Sequence, residues 1–332
     1  MHPLLQACAE RQLGLFTASD ARRAGYQHPE IRHLCSSGAW QRLRRGVYLT
    51  ADSLAAIEKS GRRHRVECLA VLLDLHRPLA AISHGSAARL WGLPVRRDLD
   101  RTIRLTDPTL WRRGKNFHMT RAPLPSADIA TVGPLRLTVA SRTLVDCARE
   151  WPLEGAVIAM DAALLAEQVT AGQLEKSLAA ARQWPGAPRA ARAFALADGR
   201  AESPLETRGR LRLLGAGFPP PALQVEIRAD TRLIGVVDAW FDEAAVAVEF
   251  DGRVKYSDPW RGRSPERVLW EEKRREDELR SLDIRVVRIA DADLDMRWAG
   301  IEGRLRGLFA RPGPSHRRFV AVPRLQGRTP AG

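Results

Sequence analysis

Val236–Lys255 reads VVDAWFDEAAVAVEFDGRVK, and the C-terminal half of the chain is organised around it. It reads as two short strands joined by a turn. Val236, Val237 and Trp240 lead into Asp242 and Glu243, which make the turn. Val246, Val248 and Phe250 then alternate with Ala247, Glu249 and Asp251. Period-two alternation marks a strand with one apolar face. Residues two apart share a face, so Glu249 and Asp251 point the same way. Pairing of the two strands brings Asp238 close to that face. Gly252 ends the strand, and Lys255 follows.

Three carboxylates converging on one end of a ribbon repel one another. Like charges at close range raise each other's pKa or recruit a cation. All-oxygen ligation suits Mg²⁺ or Mn²⁺ rather than zinc. A hard metal held by carboxylates beside a lysine activates water and stabilises a pentavalent phosphate. The competing reading is an exposed hairpin with ordinary surface acids.

Asp238, then Glu249-x-Asp251-Gly, with Lys255 and the downstream Glu272-Lys273-Arg274-Arg275, resembles the PD-(D/E)XK nuclease superfamily, nearest to its very-short-patch-repair branch. The resemblance covers roughly Glu202–Phe309. It implies a restriction-endonuclease-like α/β domain that hydrolyses DNA phosphodiesters. Asp238 and Glu249 would hold Mg²⁺ (or Mn²⁺), with Asp251 as third ligand or as the orienter of the water. Lys255 or Lys273 would stabilise the developing charge. The family's Glu-x-Lys is Glu-x-Asp here, so the lysine role moves to one of those two positions or is lost. Ser203, Pro204 and Glu206 form a capping box, which by itself accounts for Glu206. In the resembled nucleases a glutamate on this first helix also binds metal. Glu266–Leu282 is a charged helix whose Lys273 and Arg274 would pack beside the active strands, with Arg274 on the DNA side.

The chain has 332 residues and a net charge of +14. That length allows two or three domains with cores of their own. The positive excess favours a polyanion, with DNA the commonest. No run of about 18 apolar residues suggests a membrane span. The start, MHPLLQACAERQLG, lacks a basic stretch followed by a long apolar core and is not expected to act as a signal peptide. The four cysteines are too scattered for a CxxC pair and read as reduced thiols in a cytoplasm. No histidine falls between His118 and His316, which argues against an HNH nuclease or a His-based zinc site there.

Residues 4–50 read as a winged helix. Thr17 caps a helix over Ala18–Ala24, ended by Gly25, and a further helix spans Glu30–Ser37. Trp40–Leu43 and Gly46–Leu49 then alternate around a basic turn. The last helix is expected in the major groove, and Arg42, Arg44 and Arg45 on phosphates. Gly14-Leu15-Phe16-Thr17, Ala21, Gly25, Gly38-Ala39-Trp40, Leu43 and Arg45-Gly46-Val47-Tyr48 resemble the N-terminal domain of AbiEi-type antitoxins of type IV toxin–antitoxin systems. A cognate toxin is the partner this resemblance implies.

Residues 62–184 alternate helices with the strands Thr102–Leu105, Asn116–Thr120, Ile129–Val132 and Leu135–Val139. The same antitoxin-like family has this order after its winged helix. Ser83, His84, Asp146 and Asp161 suggest a hydrolase triad only superficially. No GxSxG elbow is present, and Ser83 reads as a helix cap.

The expected architecture is multidomain α/β. It comprises a winged helix-turn-helix (1–55), an α+β middle domain (56–184), a linker (185–200), a restriction-endonuclease-like α/β domain (201–311) and a disordered tail (312–332). The expected function is a cytoplasmic DNA-binding protein with a metal-dependent endonuclease domain. The alternative is a non-enzymatic antitoxin or transcriptional repressor whose nuclease-like domain only binds DNA or a partner.

Overall fold

The computed structural model describes residues 1–95, 102–252 and 265–324. The chain divides into two compact units, Met1–Trp151 with Val169–Ala191, and Pro152–Gln168 with Arg192–Gly332.

The first unit opens with α1 (Pro3–Arg11), β1 (Phe16–Thr17), α2 (Ala18–Arg23), α3 (His28–Ser36) and the antiparallel hairpin β2 (Trp40–Arg44)–β3 (Val47–Thr50). Its small sheet has the order β1-β3-β2. Thr17 starts α2 as the sequence suggests. Its Oγ1 accepts the Asp20 N–H at 3.1 Å, and an Asp20 oxygen accepts the Thr17 N–H at 2.8 Å. This reciprocal pair satisfies two N–H groups that a helix start leaves open. Phe16 and Trp40 meet edge-to-face with ring centroids 4.6 Å apart, closing a core with Leu5, Ala21 and Ile31.

After α4 (Ala51–Lys59) and α5 (Arg63–Leu75) come β4 (Ala81–Ile82), α6 (His84–Leu90), β5 (Ile103–Asp107), β6 (Arg112–Gly114), β7 (Phe117–Arg121), β8 (Ile129–Val132), β9 (Leu135–Thr138) and α7 (Ala140–Glu150). The strands form one sheet in the order β6-β7-β5-β4-β9-β8. A boundary at residue 55 is not what the packing shows. Leu15, Val47 and Leu49 of the winged helix share a core with Leu69 of α5 and Leu105, Phe117 and Met119 of the sheet.

The chain then runs through α8 (Leu153–Leu165), which belongs to the second unit, and α9 (Ala171–Ala180), which returns to the first. Helix α10 (Ala187–Ala195) carries the crossing between units, in the segment read from sequence as a linker. The second unit continues with α11 (Pro204–Gly215), β10 (Ala222–Ala229), β11 (Arg232–Phe241), β12 (Val246–Asp251), α12 (Pro265–Ser281), β13 (Arg285–Ala290), α13 (Asp291–Asp295), α14 (Trp298–Phe309) and β14 (Val320–Pro323). The sheet order is β13-β12-β11-β10-β14; only β12 and β13 are parallel. One face packs Leu213, Val248, Phe250, Ile289 and Leu305 together. The other packs Val225, Val237, Ala247, Leu279 and Val286. Gly209 lets α11 lie directly on the Phe250 ring, since a Cβ there would come within 1.8 Å of a ring carbon.

Two expectations change here. Residues 312–324 are not a disordered tail: β14 pairs antiparallel with β10, and Phe319 lies buried edge-on to Trp240, while 325–332 lie outside the described residues. The apolar run Phe319–Val322 outweighs the surrounding Pro, Gly and Arg. Helix α8, expected within the middle domain, belongs to the second unit, where Asp161 is a buried anchor. It accepts hydrogen bonds from Arg210 Nη2 (2.8 Å), Thr207 Oγ1 (2.8 Å) and the Asp198 N–H (2.7 Å). A buried guanidinium needs an anion, and Arg210 finds it in a helix outside 201–311. Asp161→Asn should cost about 3–5 kcal/mol, because removing one partner strands the other charge. Urea unfolding measures this, and a loss below about 1 kcal/mol would mean that the Leu196 carbonyl, bonded to Arg210 at 2.7 Å, suffices as its partner.

Candidate functional site

Two places collect the residues that carry chemistry. The first is the winged helix. Ile31 turns one face of α3 into the core, leaving His28, Arg32, His33 and Ser36 exposed. Gln41 and Arg42 on β2 and Arg45 at the wing turn are also exposed. Arg44 differs from the expectation. Its side chain is only 14% exposed, and Nε donates to Asp74 of α5 at 3.1 Å. Nη2 donates to the Lys115 carbonyl at 2.9 Å, and the guanidinium lies 5.3 Å from the centre of the Phe117 ring. Arg44 therefore holds the wing against the six-stranded sheet and is not available to a phosphate. Arg32 and His33, which composition did not single out, take its place on the exposed surface.

The second place is the end of the β10–β12 meander. Strand β11 pairs with β12 only over Ala239–Phe241. Beyond Ala239 the strands part, and the Asp238 carboxylate fills the gap by accepting the Phe250 N–H at 2.7 Å. Gln224 on β10 sits opposite, in the left-handed region at φ 50°. That conformation turns the strand over. Leu223 and Ala239 pack in one core, Val225 and Val237 in the other, although residues two apart normally share a face. A left-handed non-glycine residue costs of order 1 kcal/mol and persists where its surroundings hold it. Here they do: Gln224 Nε2 reaches Glu206 Oε2 at 3.0 Å and Asp238 Oδ1 at 3.4 Å.

Glu206 is engaged at the start of α11, but its carboxylate reaches the Glu202 N–H rather than the Ser203 N–H that the expected capping box would use. It accepts from the Glu202 N–H at 2.8 Å and from Ser203 Oγ at 2.8 Å, while its own N–H donates to Ser203 Oγ at 3.2 Å. Burial, followed by the charge of Asp238, pushes its carboxyl up to about 7. Glu249, only 8% exposed, is gripped by Arg275 at 2.8 Å and approached by Arg288 at 3.4 Å. The parallel register sets Arg288 beside Glu249. Arg288 also binds Glu276 at 3.0 Å, and the charge of Asp251 acts on it. Asp251 is half-buried at the end of β12. Lys273 and Arg274 are exposed on α12, with Arg274 paired to Glu278 and lying over Trp270. Lys255 lies outside the described residues.

The structure thus brings together Glu206 and Asp238 through Gln224, and surrounds Glu249 with arginines. Among the described residues no group of three or more His, Cys, Asp or Glu side chains is placed to hold a metal ion. The donor set explains why. Asp238 already serves a backbone N–H, Glu206 carries hydrogen bonds and a raised pKa, and Glu249 has guanidinium partners. These residues, so arranged, do not fit a carboxylate-held Mg²⁺. Gln224 and Arg288 leave no signal in the sequence, because their roles depend on strand inversion and register.

The Ser83–His84 pair is a buried structural element. Ser83 Oγ and His84 Nδ1 lie 2.8 Å apart, and Thr106 Oγ1 donates to Ser83 Oγ at 2.9 Å. Ser83 is fully buried and makes no side-chain cap. Burial pulls His84 down to about 4, so it is neutral at pH 7 where it meets Glu150 at 3.4 Å. Asp146 is taken by Arg142 and Arg149.

A three-helix module with a winged hairpin is an arrangement used for DNA binding. Residues 3–51 match the family model described as "Transcriptional regulator, AbiEi antitoxin". This segment is thus similar to an antitoxin-type regulator domain. The chain is also similar to "Uncharacterized protein Rv2248" of Mycobacterium tuberculosis (strain ATCC 25618 / H37Rv) and "Uncharacterized protein MT2308" of Mycobacterium tuberculosis (strain CDC 1551 / Oshkosh). Each is 27% identical over 220 residues, which is 65% of this chain and 74% of the relative. Among the described residues no helix is long and apolar enough to cross a membrane.

Two outcomes follow from this geometry. Arg44→Ala should lower stability by about 1–3 kcal/mol, since it leaves Asp74 and the Lys115 carbonyl without their donor. Arg45→Ala should stay within about 0.5 kcal/mol of the parent. Equal losses in urea unfolding would contradict the structural role given to Arg44. Glu206 supplies a pH signature. Its ordinary value is 4.5 and its folded value about 7, so between these the folded state holds a proton that the unfolded state has released. Stability contributed by this group is therefore full below about pH 4.5 and declines as pH rises towards 7, by at most about 3 kcal/mol. Glu206→Gln should flatten that part of the stability–pH curve and exceed the parent at pH 8.

Proposed function

We propose that this protein is a DNA-binding transcriptional regulator of the antitoxin type, acting in the cytoplasm with a cognate toxin as partner. In this reading α3 enters the major groove with Arg32 and His33, while Arg42 and Arg45 touch flanking phosphates. The observation that carries it is the exposed cationic surface of α3 and the wing within a segment matching a regulator family. Arg44 supports the same reading indirectly, by fixing the wing. The second unit is then a binding module without catalysis. Anisotropy with an operator-length duplex tests the proposal. Replacing Arg42 and Arg45 by Ala should weaken binding and reduce the slope of log K against log salt by about two. An unchanged slope removes the wing from the interface.

Metal-dependent phosphodiester hydrolysis is the second reading, favoured by two observations. The order α11–β10–β11–β12–α12–β13 is compatible with the restriction-endonuclease-like domain that the sequence resemblance implies. Glu206, Gln224 and Asp238 also converge at the parted strands. In that reading Asp238, Glu249, Asp251 and Glu206 would hold Mg²⁺ (or Mn²⁺), with Lys255 or Lys273 as the cationic helper. The arginines on Glu249 and the Asp251 carboxylate where the resembled family has lysine weigh against it. Incubation of supercoiled plasmid with Mg²⁺, Mn²⁺ or EDTA separates the readings. We expect no EDTA-sensitive nicking; nicking that Glu249→Gln abolishes would establish hydrolysis instead.

A further inference from the structure

The second unit contains a cavity of about 810 Å³ walled by the end of α12, the start of β13, α14 and the segment after it. Its charged lining is Arg280, Arg285, Arg304 and Arg311 against a single carboxylate, Asp283, with His316 also on the wall. We propose that this cavity is a phosphate-binding site, taking the phosphate of a nucleic-acid backbone or of a smaller phosphorylated molecule.

Its arginines divide by role. Arg285 belongs to the wall. Its Nη1 donates to the Leu308 carbonyl at 2.6 Å and the Arg311 carbonyl at 3.0 Å, and its Nη2 to the Pro312 carbonyl. Carbonyls at a helix end lack intrahelical donors and carry the negative end of the dipole, so one guanidinium closes the C-terminus of α14. Arg280 is paired with Glu276 on its own helix. Arg304 and Arg311 are exposed at the cavity. Among the described residues neither has an ion pair, and Arg304 makes only a long 3.4 Å contact to the Val286 carbonyl. With the helix end already neutralised by Arg285, these two guanidinium groups are surplus to what the fold requires. Guanidinium forks match phosphate oxygens in shape and charge. The volume falls within the range of small-molecule sites, larger than a lone phosphate needs.

The cavity is separate from the carboxylate cluster. Arg285 pairs with Val246 at the start of β12, whereas Arg288 pairs with Glu249. The two arginines stand three positions apart on β13, about 10 Å. The inference does not rest on the regulator reading, since the winged helix contributes nothing to this cavity.

The test uses the intact chain and two probes, pyrophosphate by calorimetry and a 16-base-pair duplex by anisotropy. The variants are Arg304→Ala with Arg311→Ala, and the same two positions changed to Lys. Both residues are exposed, so melting temperatures should match the parent. The proposal expects the alanine pair to weaken pyrophosphate at least about tenfold, and the lysine pair to recover part of that loss by charge alone. A parallel loss of duplex affinity, with a salt slope smaller by about two, identifies a nucleic-acid backbone as the source of the phosphate. Unchanged duplex binding with lost pyrophosphate identifies a smaller phosphorylated ligand. A parent that binds no pyrophosphate, or equal pyrophosphate binding by parent and alanine pair, overturns the proposal. Arg42→Ala with Arg45→Ala serves as the control: it should lose duplex and keep pyrophosphate, so failure of the regulator reading and failure of this site appear in different rows of the experiment.

Discussion

Glu249 is a nearly buried carboxylate on a strand with neighbours on both sides, and Arg275 and Arg288 make that position tenable. A buried ion left alone costs several kcal/mol, so β12 could not hold a glutamate there without cations close by. Those cations come from opposite directions. Arg275 descends from α12 and also donates to the Val236 carbonyl, while Arg288 reaches across from β13. One charge thus ties the helix and two strands to β12. The same arrangement limits the chemistry, because a carboxylate neutralised by guanidinium groups has less negative potential to offer a divalent cation.

The other constraint on this sheet is geometric. Where β11 leaves β12, the Phe250 N–H loses a strand partner, and a buried N–H left open is costly. Asp238 supplies the acceptor from its side chain. Gln224, held at positive φ, spans from Asp238 to Glu206 and so connects the parted strands to the start of α11. Glu206 lies at the start of its helix, where it feels Asp238. Each acid in this group therefore has a structural duty.

Much of this was legible in the sequence. The strand at Val246–Asp251, the turn at Asp242–Glu243 and the Ser203 cap of α11 all depend on neighbours within a few residues, and all appear in the fold, although β12 is buried on both faces. The winged-helix elements were legible for the same reason, from Thr17 and the glycines that end its helices. What depended on distant partners was not. Asp161 finds Arg210 forty-nine positions away, Arg44 finds Asp74 thirty away, and Arg288 meets Glu249 only through parallel register. Local pattern carries no information about such pairs, so neither the neighbours of α8 nor the environment of Arg44 is legible in it.

Adjacent arginines show why a net charge of +14 cannot by itself locate a binding surface. Arg44 and Arg45 follow each other at the wing, yet the first is committed to Asp74 and the second faces water. Arg274 and Arg275 follow each other on α12, yet Arg274 lies outward over Trp270 while Arg275 turns in to Glu249. Successive residues on a strand point to opposite faces, and on a helix they diverge by about 100°. A basic run is therefore partly structural and partly free wherever one side of its element is buried. The cations available to a polyanion are those left after the buried carboxylates and helix ends have been served. By that criterion Arg32, Arg42 and Arg45 are among the cations that remain on the first unit, and Arg304 and Arg311 among those on the second.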